Sequence, residues 1–311
     1  MTIKHEIELV IIIPFLEDKA SFSELVAKLS VQVPDSHILL VDDGSLENSI
    51  NLDFLDDYFR SWTQIRLKRN AGAQRAIAVG LNYVNSNFDY SRVLIMDSDG
   101  EDSPETVKGL LEFHLTRTPK SEICVATRKD RKDSSLFRFL YILYKAFFWT
   151  YTGKQMNFGH YSILTREAVS RIINYPQIWI HLGSTYLLAR IPISYYSLSR
   201  GKRYHGKSRL NLNSLIQLGL RSVVAQSELV ISRVVIFISI LLIGSLAITG
   251  TGFVLNSYFL LTLGALFFFL SQSIVTITSL IMLLSISRNS GEYDSTNFES
   301  LIKEVSSSST K

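Results

Sequence analysis

The sequence predicts an α/β protein, in which a mostly parallel, doubly wound sheet is followed by amphipathic helices and a two-helix apolar hairpin. Three observations carry this. Up to Thr127, short apolar runs alternate with amphipathic stretches, the pattern of parallel strands joined by crossover helices. Polar clusters follow four of those runs, at the strand ends where open α/β sheets bind ligands. Between Arg233 and Arg288 there is no Asp, Glu, Lys or Arg, a length that crosses a bilayer twice at about twenty residues per helix.

Taken in order, Leu9 to Ile13 reads as the first strand, with Pro14, Glu17 and Asp18 after it, and Ser21 to Leu29 as the helix that returns the chain. His37 to Val41 is the second strand, ending in Asp42 and Asp43, and Leu46 to Phe59 a second helix. Ile65 to Leu67 is a short third strand followed by Asn70, and Gln74 to Val84 a helix. Val93 to Met96 precedes Asp97 and Asp99; Pro104 to His114 is helical, with Ser103 as its N-cap and Pro104 as its first residue. Glu122 to Thr127 is the fifth strand and buries Cys124, the one cysteine, which excludes disulfides and a thiolate metal site.

Residues 135–152 are too aromatic for an exposed helix and read as an interfacial helix whose rings enter the head-group region; a core helix fits their composition as well. Residues 210–230 form a juxtamembrane helix. The membrane hairpin, 231–287, divides into crossings near Val234 to Leu255 and Tyr258 to Ile286 with a turn at Asn256-Ser257. Residues 288–311 are expected to be a polar, disordered tail. Arg200, Lys202, Arg203, Lys207, Arg209, Arg221 and Arg233 precede the hairpin and Arg288 follows it, whereas its turn has no basic residue. The positive-inside rule therefore puts the N-terminal domain, 1–209, and the tail in the cytosol of an integral membrane protein. Met1 to Glu8 is charged, so no cleavable signal is expected.

With 32 Lys and Arg against 28 Asp and Glu, the net charge is +4. The excess sits before the hairpin and suits lipid head groups or phosphates, not nucleic acid. No G-x-G-x-x-G follows the first strand and no G-x-x-x-x-G-K-[ST] occurs, which disfavours a dinucleotide dehydrogenase or a P-loop NTPase.

Asp97-Ser98-Asp99 is the chemical centre of the sequence. On a strand, side chains two apart share a face, so both carboxylates could hold one divalent cation, placed to neutralise a departing diphosphate. A plain polar turn is the other reading. An EF-hand is excluded, because its sixth and twelfth positions would be Asp102 and Lys108.

These segments together resemble the family 2 inverting glycosyltransferases of GT-A fold, in the branch that transfers sugar to polyprenyl phosphate and includes dolichol-phosphate mannosyltransferases and bactoprenol glucosyltransferases. Val10 to Glu17 resembles "VVIPxYNE", which implies that Pro14, Phe15 and Glu17 line the nucleotide pocket, with Phe15 in place of the usual Tyr. Val41 to Ser45 is similar to "VDDGS", implying Asp42 and Asp43 at base and ribose. Arg69 to Gln74 is similar to "RNxGxxxA", implying Asn70, Gly72 and Gln74 at the nucleotide. Asp97 to Glu105 resembles "DADLQDPPE", which implies a Mg2+ or Mn2+ ion on Asp97, Asp99 and Glu101, with Asp99 as principal ligand and Ser98 beside the nucleotide sugar. Thr127 to Ser135 is similar to "RxxRxD", implying Arg128 and Arg131 at the lipid phosphate, a role suited to guanidinium. Asn157 to Ser162 resembles "xxGFR", with His160 read as structural. Arg200 to Arg209 resembles "RxxGxSKY", a loop that closes over the diphosphate and brings Lys207 and Arg209.

The resemblance thus implies transfer of one sugar from a UDP- or GDP-linked donor to a polyprenyl phosphate at a bilayer, and leaves a homo-oligomer open. Two alternatives remain: a noncatalytic membrane-tethered nucleotide-sugar-binding module, and a transferase with a non-lipid acceptor.

Overall fold

The computed structural model describes residues 6–46, 50–117, 123–128, 135–199, 201–206, 212–289 and 295–308. In chain order its elements are β1 (Ile7–Phe15), α1 (Lys19–Gln32), β2 (His37–Asp42), β3 (Ser61–Leu67), α2 (Ala73–Asn87), β4 (Tyr90–Ile95), α3 (Val107–Thr116), β5 (Ile123–Arg128), α4 (Ser135–Thr152), β6 (Ser162–Thr165), α5 (Arg166–Ile172), α6 (Leu182–Ala189), β7 (Ile193–Leu198), α7 (Leu212–Val224), α8 (Ser227–Val254), α9 (Tyr258–Asn289) and β8 (Ile302–Ser307). The eight strands form one sheet in the order β7-β5-β6-β4-β1-β2-β3-β8. Its central pairs, β4-β1, β1-β2 and β2-β3, are parallel, as the alternating pattern predicts.

Alternation along the strands builds two cores. Val10, Ile12, Leu39, Val41, Val93 and Ile95 face α2, α5 and α6. Their neighbours Leu9, Ile11, Ile13, Ile38, Leu40 and Leu94 face α1 and α3. Central strands buried on both faces require continuous apolar runs, which explains why β1 and β2 were so plain in the sequence.

Three predicted elements are corrected. The helix expected over Leu46 to Phe59 is, among its described residues, only a 3₁₀ turn at Asp53–Asp57. Leu55 is its buried residue, and Leu52, three residues earlier and just before the turn, is buried as well, the spacing that a three-residue turn aligns. The Asn51 side chain accepts from Asp53 N and so diverts the backbone from a helix. Ser103 makes no capping hydrogen bond, and its hydroxyl turns instead to Glu105; Pro104–Thr106 is a 3₁₀ turn before α3.

The third correction is the tail. Phe298–Leu301 forms a 3₁₀ turn, and β8 adds to β3 in antiparallel register from Leu67↔Ile302 to Thr63↔Ser307. All the β8 side chains are exposed or half-exposed, so the strand is held by its backbone ladder and by buried Phe298 and Leu301 just before it. A polar strand of that kind has no hydrophobic signature in the sequence.

The apolar hairpin is α8 and α9. Ser227–Val254 and Tyr258–Leu280 have mean hydropathies of 2.5 and 2.0 and are long enough to cross a membrane. Only 17% and 11% of their most apolar windows are buried within the chain, whereas a core helix of a soluble domain would bury most of its apolar surface. Between the two helices Asn256 adopts a left-handed turn (φ 51°), and Ser245 Oγ donates to Gly264 O across them at 2.9 Å. α4 coincides with the predicted 135–152 helix. It buries Phe148 against α7 and α8 residues Val223, Val230 and Val234, while Ile142, Leu143 and Trp149 are exposed.

Candidate active site

The C-terminal ends of β1, β2, β3 and β4 lie along one edge of the sheet because those strands are parallel. The loops that leave them are locked together by side chain to backbone hydrogen bonds. Asp43, after β2, accepts Ala71 N at 2.7 Å and Gly72 N at 2.8 Å, so both carboxylate oxygens hold the turn between β3 and α2. Burial raises its pKa to about 6, against the lowering by those two N–H groups. Asp42 is fully buried; it accepts Ser45 N at 2.9 Å and lies 3.7 Å from Arg66 Nε. Gly44 has φ 77°, and a Cβ there would sit 2.7 Å from the Arg69 carbonyl carbon, so only glycine lets the β2 loop rest on the Arg69-Asn70 turn.

The first strand end behaves differently from expectation. Pro14 is buried and pairs with Val41. Phe15 is buried edge-on against Phe22, with ring centroids 5.8 Å apart. The Phe15 ring is turned into the packed interior: a Phe without a hydroxyl has no polar tip to keep it at the surface. Glu17 (φ 51°) is a clasp, donating its N–H to Ser45 Oγ at 3.1 Å and accepting Leu46 N on its carboxylate. Gln74 is turned toward α6; its amide donates to Ile178 O at 2.8 Å and accepts Leu182 N at 3.0 Å. Asn70 is exposed on the turn, and Ser98 is half-exposed beyond β4.

β4 ends at Ile95, so Asp97-Ser98-Asp99 is a turn and not a strand. The rule that side chains two apart share a face stops with the strand, and the two carboxylates diverge. Asp97 points toward β6. That strand is antiparallel to β4, pairing Ile95 with Ser162, which brings the residue two before Ser162 to the end of β4. His160 Nε2 lies 2.9 Å from Asp97 Oδ1. Asp102 closes the group: its carboxylate accepts Asp97 N at 3.0 Å, and one ligand atom from each of Asp97, Asp102 and His160 lies within 4.8 Å of the others. Loss of solvent and then the Asp97 charge push the Asp102 pKa up to about 7.

Asp99 turns the other way. Its Oδ1 accepts Glu101 N at 2.9 Å and its Oδ2 accepts Arg203 Nη1 at 2.8 Å. Arg203 also donates to Asp18 Oδ2 at 3.2 Å, bridging the ends of β1 and β4. Two backbone bonds, Gly201 N to Glu101 O and Tyr204 N to Asp99 O, lay residues 201–206 along the turn. Tyr204 covers Gly100 so closely that a Cβ there would sit 2.4 Å from its ring, and Lys28 stands 4.1 Å over that ring. A cavity of about 380 Å³ opens on the α1 side of this strap, lined by Glu24, Lys28, Ser103, Glu105 and Lys202 among others.

A divalent cation fits the Asp97, Asp102 and His160 group: two hard oxygens and one imidazole nitrogen converge, and the set carries the negative charge that an ion would neutralise. Of the expected ligands the structure keeps Asp97 in this group and sets Asp99 and Glu101 apart from it. Asp102, His160 and Arg203 were missed as site residues, and Asp18 was read only as one of the polar residues after the first strand. Asp102 was legible as a further carboxylate in the same acidic run; His160 depended on the antiparallel register of β6, which nothing local in the sequence announces. The Arg128 backbone pairs with Leu198 at the end of β5, but its side chain, and Arg131, Lys207 and Arg209 entirely, lie outside the described residues.

Residues 10–173 match the family model described as glycosyl transferase family 2. An undecaprenyl-phosphate 4-deoxy-4-formamido-L-arabinose transferase of Edwardsiella ictaluri is 28% identical over 224 residues, 67% of this chain and 64% of that one. An uncharacterised glycosyltransferase of Synechocystis is 24% identical over 72% of this chain and 70% of its own length. The chain therefore spans a little under two thirds of the undecaprenyl-phosphate transferase. Among solved structures, glucosyl-3-phosphoglycerate synthase of Mycobacterium tuberculosis with Mn2+ and UDP-glucose superimposes with a TM-score of 0.52 at 12% identity, covering 72% of this chain and 79% of that one. At that identity the likeness is one of fold.

Proposed function

The chain belongs to glycosyl transferase family 2, and on that premise we propose that it moves one sugar from a nucleoside diphosphate sugar to a polyprenyl phosphate at a membrane surface. The observation that carries the reading is the Asp97, Asp102 and His160 group, on the same sheet edge as the loops that Asp43 ties together. The name of the 28% identical relative supports the lipid acceptor, as do the two long apolar helices. The Mn2+ and UDP-glucose bound by the structural neighbour support a metal and a nucleotide sugar here.

In this proposal the turn at Arg69 to Gly72 and the β2 loop take the nucleotide, and Asp97, Asp102 and His160 hold Mg2+ or Mn2+. The metal, when bound, neutralises charge on the leaving diphosphate. A lipid phosphate oxygen attacks the anomeric carbon in line, the bond from that carbon to the diphosphate breaks, and the configuration inverts. A phosphate is an anion at neutral pH, so no side chain need remove a proton. The work left for the protein is positioning and charge stabilisation. Arg203, held between Asp99 and Asp18, would supply a cation to the diphosphate. Arg128 and Arg131, with Lys207 and Arg209, supply the remaining cations for acceptor and leaving group.

In the same proposal, α8 and α9 cross the bilayer and the exposed apolar residues of α4 lie at its interface, with the sheet on the cytosolic face. The test is to incubate membranes containing the protein with radiolabelled UDP- and GDP-sugars and examine the lipid extract for label released by mild acid. Labelled lipid that disappears with Asp97→Asn is the expected result. No labelled lipid from any donor, or full labelling by Asp97→Asn, would overturn the proposal.

A further inference from the structure

The chain that leaves the hairpin comes back to the sheet at the strand end that carries the candidate nucleotide turn. β8 is antiparallel to β3, so its first residue, Ile302, sits beside Leu67 at the site end, and Ser307 beside Thr63 at the far end. Just before β8, Leu301 O accepts Lys68 N at 2.9 Å. Phe298 and Leu301 are buried in the apolar cluster that also holds Leu67 of β3 and Ile77 of α2. Upstream, Ser295 Oγ donates to Ile173 O at 2.6 Å, fastening the segment below α5.

Lys68, Arg69 and Asn70 are exposed, so burial of their own side chains does little to hold this turn. Two sets of restraints do: the Asp43 carboxylate and Gly44 from the β2 side, and the Leu301 carbonyl with its buried side chain from the other. Asp43 fixes Ala71 and Gly72 and Gly44 abuts Arg69 and Asn70, whereas Leu301 fixes Lys68 at the start of the turn. The order of the turn therefore depends on a segment more than two hundred residues later in sequence.

Resting on the reading that this turn binds the nucleotide, we propose that Leu301 and Phe298 are positioning residues for it, so that nucleotide affinity depends on the chain having returned from the hairpin to pair with β3. The hairpin then has a role besides anchorage: it carries in a part of the nucleotide site. Ordering a loop before ligand arrives removes an entropic cost of binding, which is how a residue that touches no ligand raises affinity.

The test uses full-length protein in detergent, with Leu301→Asp, Leu301→Ala, Leu301→Met and, as a control at the far end of the same strand, Ser308→Pro. Ser308 N donates to Trp62 O, so the control breaks the β3-β8 ladder away from the site. Amide exchange at 68–72 and calorimetric binding of UDP and of GDP with Mn2+ are the readouts. Expected are exchange faster by at least about tenfold and nucleotide binding weaker by about tenfold in Leu301→Asp, a smaller change of the same kind in Leu301→Ala, and recovery in Leu301→Met; Ser308→Pro lowers the melting temperature and leaves nucleotide affinity alone. If Leu301→Asp does not fold, Leu301→Ala decides. Equal loss of affinity in the Leu301 variants and Ser308→Pro, or unchanged exchange at 68–72, overturns the positioning role. Wild-type protein that binds neither nucleotide overturns the nucleotide-sugar reading itself.

Discussion

Replacing Arg203 with Gln should make the protein bind Mn2+ more tightly while it transfers sugar more slowly. Arg203 lies 2.8 Å from Asp99 and 3.2 Å from Asp18, with side-chain exposures of 20%, 14% and 17%. At an effective dielectric of about 20, one such contact has a gross Coulomb energy of about 5 kcal/mol. Desolvation and side-chain ordering cancel most of it, and a net of about 1–2 kcal/mol for the bridge is the scale that partly buried ion pairs leave. Asp99 is near enough to the metal group for its charge to act on Asp102. An entering dication must therefore work against the guanidinium, both for Asp99 and through simple repulsion. Removing Arg203 frees Asp99 and deletes that repulsion, so Mn2+ affinity without nucleotide should rise about tenfold, the equivalent of about 1.4 kcal/mol. Titration calorimetry of the purified protein measures it directly. The gain must shrink when Asp99→Asn is added, because the freed carboxylate is one of its two sources. Weaker or unchanged Mn2+ binding by Arg203→Gln refutes the argument, as would a gain that Asp99→Asn leaves undiminished.

The remaining predictions concern the other contacts of the site. His160→Ala should weaken Mn2+ binding by at least about tenfold, measured by electron paramagnetic resonance of free Mn2+, with the melting temperature of the metal-free protein little changed. Asp43 has a folded pKa of about 6 against an ordinary 3.8; a carboxyl raised in this way stabilises the fold fully below about pH 4 and loses that contribution as pH rises through 6. The loss is about 3 kcal/mol, and Asp43→Asn should flatten that part of the stability profile in thermal unfolding between pH 4 and 7; an unaltered slope would assign it to another group. Gly100→Ala should push Tyr204 away and speed amide exchange across 201–206. Adding Tyr204→Ala should remove the clash but not the backbone cost of about 1 kcal/mol for a side chain at φ 85°.

How much of this was legible divides along a physical line. β1, β2 and the buried end of β4 were readable because strand segments buried on both faces must be apolar, and α8 and α9 because the stretch from Arg233 to Arg288 encloses no charged residue. β8 was not, since a strand stabilised by backbone pairing needs no apolar side chains of its own. The acidic run after β4 was recognisable as a metal motif, but the grouping of Asp97 with Asp102 and His160 was not. Read as a continued strand, the run puts Asp97 and Asp99 on one face, whereas the turn sends Asp97 to His160 and Asp99 to Arg203. At Phe15 and Gln74 a motif gives the residue type but not the direction of the side chain, and both side chains face the packed interior.

The return of β8 to the sheet also bears on the orientation of the hairpin. The positive-inside argument rests on counting cations on either side of α8 and α9, several of which lie outside the described residues. The strand pairing needs no such count. The segment before α8 and the segment after α9 belong to one domain, and β8 pairs with β3 in that domain's sheet, so both ends of the hairpin are on the sheet's side of any membrane the helices cross. A single crossing, or three, would separate β8 from β3 by a bilayer. Disrupting the ladder with Ser308→Pro and then mapping protease access to residues 295–308 from each side of sealed vesicles separates the two causes. Tail access from the side of the sheet in both proteins is expected, because the hairpin returns the chain to that side with or without the ladder; access from opposite sides in the two proteins would mean that the strand, and not the hairpin, decides where the tail lies.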